Sequence, residues 1–79
     1  MIILGQIKAV ILTGLVLGSE ERVIKEIKKF EGVKDGFMVY GEYDGVFLVE
    51  VPSQEKLNAL ISRIRRTEGV TRTITLVAI

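Results

Sequence analysis

The chain has no cysteine, no histidine and no tryptophan. Without cysteine, neither a disulfide nor thiolate chemistry is available. Without histidine, the commonest metal ligand and the usual near-neutral proton shuttle are missing. An excess of charge of one sign is missing too. Eleven basic residues face ten acidic ones, for a net charge of +1, which is not the basic footprint of a nucleic-acid binder. Proline occurs once, so little punctuates the chain except glycine.

One stretch imitates a targeting segment. Met1 to Leu17 is strongly apolar, but Gln6 and Lys8 interrupt it. No basic segment precedes it and no small-x-small cleavage site follows. It also falls short of the roughly 20 uninterrupted apolar residues that a membrane span needs. The expectation is a cytoplasmic protein with neither a secretory signal nor a membrane partner.

What is present is apolar. The hydrophobic share is 48% in a chain of 79 residues, which makes one small domain, 1–79. A chain of this length buries only about 60% of its unfolded surface, so a lone monomer is marginal. High hydrophobicity and small size together point to self-association.

The pattern along the chain reads as strand, helix, strand, strand, helix, strand. Lys8 to Leu17 is rich in Val, Ile, Leu and Thr and ends at Gly18, a strand. Ser19 is placed to cap a helix, with Glu20 and Glu21 in its first turn, where the dipole favours acid. Val23, Ile24, Ile27 and Phe30 form its apolar stripe, and Gly32 closes it. Val33 to Tyr40 and Val46 to Val51 are the next strands, joined by the connection Gly41-Glu42-Tyr43-Asp44-Gly45. Ser53 caps a second helix with a stripe of Leu57, Leu60, Ile61 and Ile64. Arg63, Arg65 and Arg66 end that helix as a solvated basic run, and Gly69 stops it. Thr71 to Ile79 is the last strand.

The ends of the helices repeat. Phe30-Glu31-Gly32-Val33 closes the first and Thr67-Glu68-Gly69-Val70 the second. Two βαβ halves of this kind predict a ferredoxin-like α+β sandwich, a four-stranded antiparallel sheet with both helices on one face. A sheet with one wet face alternates apolar and polar residues. Ala9-Val10-Ile11-Leu12 and Val46-Phe47-Leu48-Val49 do not alternate. The face without helices is therefore expected to carry Val, Leu and Ile that a second copy buries, sheet to sheet.

The order and spacing of these parts resemble the ligand-binding and oligomerisation (RAM) domain of the Lrp/AsnC transcription regulators. The residues that carry the resemblance are the G-x-Y-D connection, Gly41-Glu42-Tyr43-Asp44, and the G-V-x-x-T-x-T ending, Gly69-Val70-Thr71-Arg72-Thr73-Ile74-Thr75. The match runs over about nine-tenths of the chain. Only seven residues precede the first strand, too few for the helix-turn-helix of full-length members. The resemblance thus implies a stand-alone RAM module that does not bind DNA unaided. It implies a dimeric α+β barrel assembled into rings of eight or more, with an amino acid or related small molecule bound in clefts between dimers. Co-assembly with full-length Lrp/AsnC regulators is a further implied partnership.

The resemblance also implies the ligand-binding set Gly41, Tyr43, Asp44, Thr73 and Thr75. Asp44 is suited to accept hydrogen bonds from an α-ammonium group; as a turn aspartate it is equally suited to cap local backbone. Tyr43 either lines the cleft or packs on the sheet edge. Gly41 either bares its N–H to a ligand carboxylate or serves the turn alone. Thr73 and Thr75 sit two apart on a strand and so face one side, as binding hydroxyls or simply as good strand residues. Arg72 faces the other side and reads as a salt-bridge or interface residue. No catalytic residue, metal ligand or cofactor is expected.

Three other classes share this topology. A small dimeric-barrel enzyme needs an acid–base set, and the chain offers no histidine and no such pair within an apolar strand. An ACT-type amino-acid sensor shares the ligand class and differs in how sheets assemble. An RNA-recognition module places aromatics on central strands in a basic surround. Phe37, Tyr40 and Phe47 fall near those places, but the basic surround is missing.

Overall fold

The computed structural model describes residues 6–79. The first five residues of the apolar stretch read above as neither signal nor span lie outside them. Within them run β1 (Ile7–Leu15), α1 (Glu20–Lys28), β2 (Val33–Met38), β3 (Gly45–Val51), α2 (Gln54–Arg65) and β4 (Val70–Val77). The four strands form one antiparallel sheet in the order β2-β3-β1-β4. This is the expected βαββαβ sandwich. No helix among the described residues is long and apolar enough to cross a membrane.

The helix stripes build the core. Val23, Ile24, Ile27 and Phe30 of the first helical segment and Leu57, Leu60 and Ile64 of α2 are buried against Ala9, Ile11, Phe47, Val49 and Val51 of the central strands. Ile61 is half-buried at the margin of that cluster. Register then sorts the other positions. Directly opposed residues share a face. Val10 pairs with Leu48 and Leu76, and Leu12 with Val46 and Ile74; Phe37 pairs with Val46. These side chains therefore lie together on the face without helices, where Leu48, Phe37, Ile74 and Leu76 are exposed. The doubly apolar strands are explained: one set of side chains makes the core and the other an open apolar face.

The caps differ from one another. Ser53 Oγ accepts from the Lys56 N–H at 3.1 Å, the expected cap of α2. Ser19 occupies the matching place on α1 but makes no such bond. Its hydroxyl instead donates to the Val16 carbonyl at 2.6 Å. Glu20 accepts from the Gly18 N–H at 2.7 Å. Both bonds tighten the turn that leaves β1, which stops at Leu15 rather than running to Leu17; Val16 and Leu17 are exposed there.

The repeated helix endings are one structure used twice. Val33 N–H donates to Phe30 O, and Val70 N–H to Thr67 O, both at 3.1 Å. Gly32 and Gly69 hold the third position of each turn with φ of 96° and 104°, the geometry a type II turn reserves for glycine. The basic run is only partly a free helix end. Arg63 lies over the Phe30 ring, 4.0 Å from its centroid, and so closes α2 onto the end of α1.

Candidate ligand site at the strand-end loop

The connection between β2 and β3 runs from residue 39 to 44, one residue longer than read from the sequence, because β2 stops at Met38. Its first and last residues are tied by the Val39 N–H donating to Asp44 O at 2.9 Å. Tyr40 is fully exposed. Gly41 sits at the tip with φ 133° and open space where a side chain would be.

Asp44 fixes the base of this loop to β1 twice. Its N–H donates to Thr13 O at 2.9 Å, and its Oδ2 accepts from the Leu15 N–H at 2.8 Å. The β1–β3 ladder ends at the Thr13–Gly45 pair, so the Leu15 N–H on that side has no strand partner, and the Asp44 carboxylate satisfies it. The carboxylate is thus positioned by backbone, half-buried, with Oδ1 free of protein donors among the described residues. Of the two roles read for Asp44, backbone capping is present, though on a neighbouring strand rather than on its own turn.

Tyr43 is half-buried and carries Arg72 on its ring, with the guanidinium carbon 4.5 Å from the ring centroid. An Arg72 Nη2 hydrogen also donates to the Glu42 carbonyl. Arg72 belongs to β4, and β1 lies between it and this loop. It crosses at Gly14, its register partner. A Cβ there would stand 2.9 Å from Arg72 Cγ and 2.7 Å from Thr71 Oγ1, so only glycine leaves the passage open. The salt-bridge role read for Arg72 is corrected: no carboxylate lies within 4 Å of it among the described residues, and its partners are a ring and a carbonyl. Sequence reading overlooked Gly14. The available signal was a glycine inside an apolar strand, which marks a close approach of another group.

Thr73 and Thr75 do share one side, as expected. Their register partners are Thr13 and Ile11, residues buried under the helices. They are half-buried on that side, whereas Arg72 crosses on the other. Thr13 Oγ1 donates to Gly45 O at 3.1 Å and joins this row to the foot of the loop. The five candidate residues therefore form two groups in one protomer: Gly41, Tyr43 and Asp44 around the loop, and Thr73 and Thr75 on β4.

Chemically, the loop group offers a carboxylate oxygen to a cation, a bare tip backbone, and a guanidinium whose planar fork suits an acidic group. Among the described residues no cluster of three or more His, Asp or Glu is placed to hold a metal ion.

A four-stranded antiparallel sheet with two helices in a βαββαβ order defines a ferredoxin-like α+β domain. The chain belongs to the Lrp/AsnC ligand-binding domain family, whose model matches residues 8–79. Among solved structures it is similar to the hypothetical protein PHS023 from Pyrococcus horikoshii, at 32% identity and TM-score 0.86, over 92% of this chain and 89% of that one. It is similar to TTHA0845 from Thermus thermophilus at 31% identity and TM-score 0.88, over 92% of each. The AsnC structure from E. coli shares the fold at 18% identity and TM-score 0.84, over 94% of this chain; this chain spans about half of it, 51%. No match was found among curated proteins.

Proposed function

We propose that this domain senses an amino acid or a related small molecule, works as a homo-oligomer, and regulates rather than catalyses. The observation that carries the reading is the match of residues 8–79 to a ligand-binding domain family, together with the loop carboxylate that backbone bonds hold in place. A structural relative from Neisseria meningitidis, a transcriptional regulator, is described as a complex with L-Met. That likeness, at 14% identity, supports the fold and is in keeping with the ligand class.

The binding set proposed is Gly41, Tyr43, Asp44, Thr73 and Thr75. Asp44 Oδ1 takes the ligand ammonium group, the Gly41 backbone its carboxylate, and Tyr43 walls the site. Since the threonines lie on the other side of the sheet, the complete site is proposed to form where the loop of one copy meets β4 of another. The open face bearing Val10, Leu12, Leu48 and Ile74 is proposed as the primary contact between two copies. Burying such a face is worth about 25 cal/mol per Å² of apolar surface. Subunit exchange with full-length Lrp/AsnC regulators is a further proposed partnership, and the expected compartment is the cytoplasm.

Native mass spectrometry with and without a pool of the twenty amino acids tests the reading. An even-numbered assembly that gains one amino-acid mass per cleft supports it and identifies the ligand. An assembly that gains no mass refutes the sensing role. A monodisperse monomer at micromolar concentration refutes the oligomer.

A further inference from the structure

The loop that carries Gly41, Tyr43 and Asp44 is closed at its base by backbone bonds and reached at its outer part by the Arg72 side chain. At the base, Asp44 bonds to Thr13 O and to the Leu15 N–H, both on the central strand β1. Farther out, Arg72 donates to the Glu42 carbonyl and stacks on the Tyr43 ring. Tyr40 projects into solvent, and a side chain at the Gly41 tip would meet nothing within 4 Å. A loop of six residues with a glycine tip has many conformations open to it, and ordering each residue costs about 1–2 kcal/mol. What selects one of them is the reach of Arg72 across β1.

We propose that Arg72 is a positioning residue, a latch that holds the Glu42–Tyr43 segment in its ligand-receiving shape by passing over Gly14. The ligand role rests on the sensing function proposed above; the latch itself does not. Two features suit arginine to it. The flat guanidinium stacks on the Tyr43 ring while one edge still donates to the carbonyl, which a lysine ammonium cannot do at once. And no carboxylate within 4 Å competes for its charge among the described residues. The passage is built into the strand, since a side chain at residue 14 would meet Arg72 Cγ at 2.9 Å. Arg72 also brings unused N–H donors next to the loop, so the same group that shapes the site places a cation beside it.

Hydrogen–deuterium exchange on the assembled protein tests the latch without any ligand. In Arg72→Ala the hydrogen-bonded loop amides of Val39 and Asp44 are expected to exchange about tenfold faster, the effect of losing roughly 1.4 kcal/mol of local protection. Core amides at Ile11 and Phe47 are expected to be unchanged. Arg72→Lys is expected to restore little of the loss. The chain has no tryptophan, so in a Tyr40→Phe background Tyr43 is the sole intrinsic fluorophore of note. Its anisotropy is expected to fall on Arg72→Ala and to stay low in Arg72→Lys. Unchanged loop exchange and unchanged Tyr43 anisotropy in Arg72→Ala overturn the proposal, as does a change of assembly mass without a change in the loop. Full rescue by lysine also overturns it. If wild type binds an amino acid, Arg72→Ala is expected to bind it about tenfold more weakly; equal binding with a loosened loop removes the ligand role. If wild type binds none, the sensing function fails while loop exchange still decides the latch.

Discussion

Asp44 shows how one side chain completes the end of a strand pair. The Leu15 N–H it accepts lies past the last β1–β3 pair, and removing the acceptor leaves that donor part-buried and unpaired. An unsatisfied buried donor costs about 1–3 kcal/mol. Asp44→Ala is therefore expected to destabilise by that amount, while Asp44→Asn, whose amide oxygen can still accept, is expected to cost less. Urea denaturation of the two variants checks the order. Gly69 carries a second residue-scale constraint. Its φ is 104° and a Cβ there would stand 2.6 Å from Val23 Cγ2, a core atom. Gly69→Ala combines left-handed strain with overpacking and is expected to cost about 2–4 kcal/mol, read by the same denaturation. At this scale sequence reading reached Asp44 through the G-x-Y-D resemblance and Gly69 as the stop of the second helix. It did not reach Gly14, whose role exists only because a side chain from β4 crosses it.

The two helices look alike in sequence and start differently. Each follows a serine. Ser53 accepts from the third N–H of its helix, and Ser19 turns its hydroxyl back to Val16 O. Losing a true N-cap costs about 1 kcal/mol. Ser53→Ala is expected to lower stability by that much and Ser19→Ala by less, since its exposed bond serves a turn rather than a helix end. Thermal unfolding of both variants separates them. Periodicity placed every strand and helix, because the helix stripes and the core they enter are set by spacing along the chain. It misplaced ends by one to three residues. Past Leu15 the chain enters the turn that Ser19 and Glu20 close by side-chain bonds, and past Met38 a single bond from the Val39 N–H to Asp44 O carries the pairing on.

For the molecule as a whole, the sheet has two different faces. Helices cover the one with Ile11, Phe47 and Val49, and the other presents Leu48, Ile74 and Leu76 to solvent. A charge placed in the open face leaves the core untouched. Leu48→Lys is expected to keep the fold by circular dichroism while shifting native mass towards monomer, and an unchanged assembly mass counts against sheet-to-sheet contact. The same charge is expected to remove amino-acid binding if the site forms between copies.

Residue order alone determined the element sequence, the two helix stripes, the paired glycine turns and the excess of apolar side chains on the strands. Each is local: it follows from spacing along a chain with periods of 2 and 3.6. Tertiary structure decided which of those side chains share a face, and so separated Thr73 and Thr75 from the Asp44 loop. It also decided that Arg72 meets Tyr43 across an intervening strand. Both outcomes depend on register between strands distant in sequence, where a one-residue slip exchanges the faces, and composition and spacing carry no record of that pairing.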